Sequence, residues 1–459
     1  MAAASLDRLS PLDGRYADRA APLAAIFSEA GLIERRWRLE IEWLLALAEL
    51  PDCGLELDAA ATAKLRELAA AMPADAPARI KEIEAEARHD LKAVEIHLAE
   101  RLTALDLAAA APWLHFGCTS WDINNLAHSL MLRAAQEEVL DPLLGRLQEK
   151  LAALATEHAR LPMLGRTHGQ PATPTTLGKE LRVFERRLDE SRRLLAAHRF
   201  AGKFNGATGN YSALTAAAPG VDWEKAARGF VEGLGLGFAT HTTQIEPYDN
   251  LARYCGLLAG VNSILLDLAR DASLYIGMDY LVQRAAAAEV GSSTMPHKTN
   301  PIDFENAEGN LQIANALLGC LREALPLSRL QRDLSNSTLL RNLGVALGHG
   351  MLAWDSALRG LERVAPDPDA LRADLDRNWQ VLAEAVQTRL RAAGDAAAYD
   401  RLKELTKGLR RMDEAQYQDM VRQLVPDEGS LRDELLALRP ETYLGKAVEL
   451  ALLKSSDGG

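Results

Sequence analysis

Thr119-Ser120-Trp121-Asp122-Ile123-Asn124-Asn125 opens the stretch whose reading decides the fold. Apolar residues then recur at Leu126, Leu130, Ala134, Leu143, Leu147, Leu151 and Leu154, the spacing of one face of a helix much longer than the globular average. Thr119, Ser120 and Asp122 are all good N-cap residues in front of it, and capping alone accounts for one of them. The other hydroxyls stand where free amides and the helix dipole make a ready anion site. Pro142 marks the expected bend.

The striping returns from Leu177 to Leu195, from Leu251 to Ile276 and from Glu305 to about Leu325. Nearer the N-terminus, a helix is expected from about Pro22 to Leu50 with a break at Gly31, and another from Ile80 to about Thr103 that carries Arg88-His89-Asp90. With 48% apolar but only 5% aromatic residues, little material remains for strands, so the chain is read as all-α. Three helical domains are expected, at 1–111, 112–364 and 365–459, with Pro366-Asp367-Pro368-Asp369 as the clearest linker. Helices striped over such lengths bury a second face in partners, which points to a helix-bundle oligomer.

A net charge of -12, from 64 acidic and 52 basic residues, argues against general affinity for nucleic acid or an anionic membrane. Any anionic ligand must find a local basic pocket. The cysteines Cys53, Cys118, Cys255 and Cys320 show no paired spacing of the zinc or redox kind, and the N-terminus lacks the layout of a secretory leader. No run of about eighteen apolar residues is present. A soluble, cytoplasmic protein without metal is the expectation.

Polar islands punctuate this background where helices end, at 88–90, 115–122, 166–174, 205–211, 242–247, 291–300 and 332–341. The densest is Gly291-Ser292-Ser293-Thr294-Met295-Pro296-His297-Lys298-Thr299-Asn300-Pro301. Glycine and hydroxyls give it a permissive backbone, Lys298 supplies a cation, and Asn300 then Pro301 reads as a cap and first helical residue with Asp303 and Glu305 in the first turn. Gly202 to Tyr211 lacks the lysine-hydroxyl pair of a phosphate loop and has no strand before it. Ser337 and Arg341 make a sensible phosphate pair, Arg341 being placed on the first turn of a capped helix. Each island has a plainer reading: a Ser-Ser loop is most often a linker, and an isolated His-Asp most often a solvated helix face. Together they hold His89, His115, His168 and His297 as proton carriers and Arg15, Lys298, Arg332 and Arg341 as anion partners. That inventory suits proton abstraction beside a carboxylate, with cations stabilising the negative charge that develops. Metal-assisted hydrolysis is the weaker alternative, since no His-Glu-x-x-His spacing occurs.

Gly291 to Pro301 resembles the signature loop of the fumarase/aspartase superfamily, whose members release fumarate by elimination. With Thr167-His168-Gly169-Gln170-Pro171-Ala172-Thr173-Pro174, His115 to Asn125, Arg15-Tyr16 and Gln331 to Arg341, the chain is similar over nearly its whole length to the adenylosuccinate lyase family of bacterial purine biosynthesis. The resemblance implies a cofactor-free β-elimination from two nucleotide substrates, adenylosuccinate and the succinyl-carboxamide ribotide SAICAR. It implies a homotetramer with a central helical core and active sites shared between subunits. Carried over by position, His168 is the general acid, Ser292 the general base with Ser293 the alternative, and Glu305 the carboxylate that orients His168. Lys298, Asn300, Thr119, Ser120 and Gln244 match residues that hold the succinyl carboxylates. Arg15, Tyr16, Arg332, Ser337 and Arg341 match nucleotide and phosphate contacts, with His89 and Asp90 beside the nucleotide. The physics favours the histidine, with a pKa near neutrality, over a serine that becomes a base only among strong donors; on chemistry alone His297 is the first choice of base. An argininosuccinate lyase and a catalytically silent relative are the other readings.

Overall fold

The computed structural model describes residues 7–284, 299–408 and 411–453. Helices dominate, and the strands are two- or three-residue ladders at helix ends. The chain divides into two compact units: residues 1–143, 192–263 and 309–353 in the first, and 144–191, 264–308 and 354–459 in the second. The striped segments form the helices Leu177–Ala197, Asp249–Gly277 and Ile302–Ala324, each supplying residues to both units. Asp249–Gly277 is long and apolar enough by composition to cross a membrane, but half of its most apolar window is buried inside the protein.

In the first unit an aromatic core gathers on the helix Glu29–Ala48. The Trp43 ring lies 4.3 Å from Phe204 and 5.2 Å from Phe230, and its indole nitrogen donates to the Phe116 carbonyl at 3.0 Å. This aromatic packing secures the segment that leads to Thr119. The second unit holds a core of its own near the C-terminus, built from Trp379, Leu382, Val386, Leu390, Tyr417, Met420, Val421 and Leu435.

The helices lie where the apolar period places them, and the breaks differ. The first helix is Ala17–Phe27, and the chain restarts at Ser28, whose hydroxyl accepts the Gly31 amide at 3.2 Å. Gly31 is therefore inside the second helix, not at the break. The expected helix from Ile80 is two, Ala76–Ala87 and Asp90–Ala104, divided at Arg88 with φ of 54°. The long helix is interrupted by a π-helical turn at Gln136–Leu140, just before Pro142, the site of the expected bend. The helix after the signature loop starts at Ile302, with the Pro301 carbonyl accepting the Glu305 amide at 3.0 Å, one residue later than Asn300 capping implies. Asp303 and Glu305 do occupy its first turn. Arg341 is the C-cap of the short helix Ser335–Leu340, not a first-turn residue. Pro366-Asp367-Pro368 passes from a strand into the helix Pro368–Asp376, with Asp367 capping it.

Gly31 is required by proximity. A Cβ there would stand 2.4 Å from the Ile26 carbonyl oxygen and 2.8 Å from that of Ala25, both backbone atoms. Alanine is the better helix former by about 1 kcal/mol, yet Gly31→Ala should destabilise by about 1–3 kcal/mol through overpacking. A thermal melt of the variant checks this, and a raised melting temperature would refute the clash.

Candidate active site

The first unit collects residues from five islands around the N-terminal half of the helix Ser120–Ala135. Asp122 anchors it. Its carboxylate is fully buried and accepts the amides of Thr119 at 2.8 Å, Asn205 at 3.0 Å and Gly206 at 3.1 Å, and it pairs with the equally buried Lys203 ammonium at 2.8 Å. Lys203 also donates to the Gly206 carbonyl at 2.8 Å. Burial lowers the Lys203 pKa more than Asp122 raises it. The glycine-rich connection is thus a strap fastened to the cap of this helix, which leaves Thr119 and Ser120 half-buried at its start.

Arg332 lies over the Trp121 ring at 4.5 Å, donates to Gln244 Oε1 at 3.4 Å and reaches Ser337 Oγ at 3.4 Å. The stacking holds a planar cation against an apolar wall, the arrangement that suits arginine better than lysine. Beside it Asn336 donates to the buried Tyr248 hydroxyl at 3.2 Å. The Trp121 indole nitrogen, Arg332 Nε and Asn336 Oδ1 are buried without a partner among the described residues. Two unspent donors, the indole N–H and the Arg332 Nε–H, with one unspent amide acceptor suit an anionic, hydrogen-bonding ligand.

Asp90 is near enough to this group for its charge to act on Arg332. Arg36 donates to Asp90 at 2.7 Å and to Asn124 Oδ1 at 2.8 Å. Burial is the largest single influence on the Asp90 carboxyl and raises its pKa, but the Arg36 charge and hydrogen bond together with the Leu91 amide outweigh it, and the net pKa is lowered. His89 caps the helix Asp90–Ala104, its Nδ1 accepting the Lys92 amide at 3.1 Å, which leaves the imidazole exposed. Arg341 is exposed, close enough that its charge depresses His128. Arg15 and Tyr16 leave the ordered turn Ser10–Gly14, in which the Ser10 carbonyl accepts the Gly14 amide at 3.1 Å; Arg15 is exposed and Tyr16 half-buried.

Three charged residues were not legible as site residues. Arg36 and Glu40, one helical turn apart on Glu29–Ala48, are buried, and Lys203 is fully buried. Glu40 accepts both the backbone amide of His115 at 3.0 Å and its ring Nδ1 at 2.7 Å. Burial would lower the His115 pKa, but the Glu40 hydrogen bond and charge more than offset it and the net shift is upward. The sequence signal was an i,i+4 charge pair on a helix that carries several other charges, the pattern also shown by a solvated face.

The second unit holds His168 at the tip of a hairpin between Arg166–Thr167 and Gln170–Pro171, exposed, with φ of 55°. Glu305 is exposed on the first turn of Ile302–Ala324, and Asn300 is half-buried just before it. Among the described residues neither the His168 nor the Glu305 side chain makes a hydrogen bond, so one chain does not join them. Ser292, Ser293, His297 and Lys298 lie outside the described residues.

The helices dominate the fold and carry polar islands at their ends, and residues 14–315 match the profile of a lyase family. Residues 328–444 match the adenylosuccinate lyase C-terminal family. The chain is 44% identical over 453 residues to the adenylosuccinate lyase of Haemophilus influenzae, an alignment that covers 98% of this chain and 99% of the relative. It is also 44% identical over 457 residues to that of Escherichia coli, with the same coverage of 98% and 99%. It belongs to the adenylosuccinate lyase family. Among solved structures, a fumarate lyase from Mesorhizobium sp. BNC1 shares the fold with a TM-score of 0.76 at 22% identity, covering 95% of this chain and 96% of the other. The 3-carboxy-cis,cis-muconate lactonizing enzyme of Pseudomonas putida gives a TM-score of 0.74 at 28% identity, covering 94% and 95%.

His128 yields a pH prediction. Burial, then the Arg36 charge, lower its pKa from 6.5 to about 4, and its Nδ1 donates to the Asn124 carbonyl at 2.7 Å. The unfolded chain therefore binds more protons between those values, and stability falls as pH drops from about 6.5 towards about 4. His128→Gln removes that share, so its urea midpoint should fall less than the parent's between about pH 7 and about pH 5. Equal falls would show that His128 is protonated in the fold without cost.

Proposed function

We propose that the chain eliminates fumarate from adenylosuccinate to give AMP, and from SAICAR to give AICAR. The observation that carries this reading is the cluster of Arg332, Trp121, Gln244, Ser337 and Asp90, which gathers residues of separate islands around unspent donors. Arg332, Ser337 and Arg341, with Arg15 and Tyr16, take the phosphorylated nucleotide, and His89 and Asp90 lie beside its base. Thr119, Ser120, Gln244, Lys298 and Asn300 hold the succinyl carboxylates. Ser292 removes the Cβ proton, the carbanion electrons form the fumarate double bond as the C–N bond breaks, and His168, oriented by Glu305, protonates the departing nitrogen.

A homotetramer with sites shared between subunits completes this reading. Its support is physical: His168 and Glu305 are not joined within one chain, and the long helices present apolar side chains to solvent. Leu194 is 50% exposed, Leu274 62% and Ile313 48%, and the loop leucines Leu327 and Leu330 are 74% and 94% exposed. A further copy that covers them removes apolar surface from water. The four cysteines are free, which suits the reducing cytoplasm.

The purified chain should release fumarate from adenylosuccinate and not from argininosuccinate; the reverse preference would contradict the reading. His168→Gln and Ser292→Ala should each lose at least about a hundredfold in kcat, while Arg341→Ala mainly raises KM for the phosphorylated substrate. Steady-state assays of the three variants check these roles, and an Arg341→Ala enzyme with unchanged KM would remove the phosphate assignment.

A further inference from the structure

The hairpin that carries His168 is a two-stranded ribbon with no third strand beside it among the described residues. Its outer ladder pairs Arg166 with Pro171 and Thr167 with Gln170, continues inward through the Ala172 amide on the Gly165 carbonyl at 2.8 Å to Met163 with Thr175 and Pro162 with Thr176, and His168 and Gly169 form the tip with φ of 55° and 74°. Two successive left-handed residues make a type I′ turn, which Gly169 adopts freely and His168 adopts against the preference of its Cβ. A two-stranded hairpin is marginally stable at best by itself, so the position of the imidazole at its tip depends on what fastens the hairpin.

One fastening is electrostatic. Arg166 Nη2 donates to the carboxylate of Asp374, a residue only 7% exposed on the helix Pro368–Asp376, and Arg166 Nη1 reaches the Gly169 carbonyl at 3.4 Å. The guanidinium thus ties a buried carboxylate to the peptide next to His168. Asp374 is held from behind by the Tyr280 hydroxyl and by Asn378 Nδ2 at 3.2 Å, with Arg377 at 3.6 Å. Burial and its bond to Asp374 push the Tyr280 hydroxyl up to about 12, so it remains a donor throughout the neutral range. A second fastening, Thr173 Oγ1 to Glu384 Oε2 at 2.6 Å, pins the other arm.

We infer that Asp374 is a positioning residue of the elimination, holding the His168 hairpin in register through Arg166. The inference rests on the reading of His168 as the general acid. A carboxylate that grips a guanidinium from a rigid helix fixes direction as well as distance, and a shift of about 1 Å in a reacting group costs on the order of a hundredfold in rate.

The test is steady-state kinetics on the full-length enzyme with adenylosuccinate, alongside thermal melts. Asp374→Asn should lower kcat by about ten- to a hundredfold with KM within about threefold of the parent. Asp374→Glu, which keeps the charge, should recover most of that loss, and Asp374→Asn should cost nothing further in a His168→Gln background. Should Asp374→Asn fail to fold, Tyr280→Phe serves instead, with an expected several-fold fall in kcat at an unchanged melting temperature. Full kcat in the folded Asp374→Asn or Tyr280→Phe enzyme overturns the inference. So do kcat, KM and melting temperature that worsen together without rescue by glutamate, since that is the mark of a merely structural joint. If His168→Gln itself keeps the parent rate, the acid assignment fails first and takes this inference with it, an outcome distinct from a failure at Asp374 alone.

Discussion

The first unit depends on one buried carboxylate. Asp122 has no exposed surface, and leaving such a charge unpaired would cost several kcal/mol. It is compensated completely: three backbone amides and the Lys203 ammonium converge on its two oxygens. Because those amides belong to Thr119, Asn205 and Gly206, meeting the needs of one charge sets both the start of the helix Ser120–Ala135 and the course of the glycine strap. Trp121, one residue earlier, then faces Arg332, and Asn124, two residues later, takes the Arg36 bond that also orients Asp90. Electrostatic compensation at one point thereby places the polar residues of the cluster.

Helix identity and extent were legible because apolar period and turn residues report burial directly. Leu126 to Leu154, Leu177 to Leu195 and Leu251 to Ile276 all fold as their spacing predicts, and the all-α class follows. The breaks were less legible. Arg88 takes a left-handed conformation that nothing in its residue type requires, and a π-helical turn at Gln136–Leu140 leaves the apolar stripe almost unaltered. Arg88 is an exposed helix C-cap whose amide donates to the Glu84 carbonyl at 2.8 Å, a role more often given to glycine, so its residue type did not announce the break.

The site divides in the same way. The islands were visible because glycine, proline and hydroxyls cluster where helices end, and the resemblance to a known family rested on those letters. The residues that tune them were hidden. Glu40, which clamps His115, is one of several charges on a helix of mixed composition, and Lys203, which neutralises Asp122, is a single charge within a glycine-rich run. Either charge reads as solvated unless its partner, 75 or more residues away, is known. His89 and Asp90 illustrate the consequence: one caps a helix and stays exposed, the other is drawn inward by Arg36.

The central proposal is that these islands act as one elimination site, with His168 as the acid and Ser292 as the base, supplied by different copies of the chain. Its most direct test is to mix the inactive His168→Gln and Ser292→Ala enzymes, dissociate and reassemble them, and assay fumarate release from adenylosuccinate. Hybrid assemblies contain some sites with both residues intact, so activity should return to a substantial fraction of the parent's. A reassembled mixture as inactive as either variant alone would contradict the account.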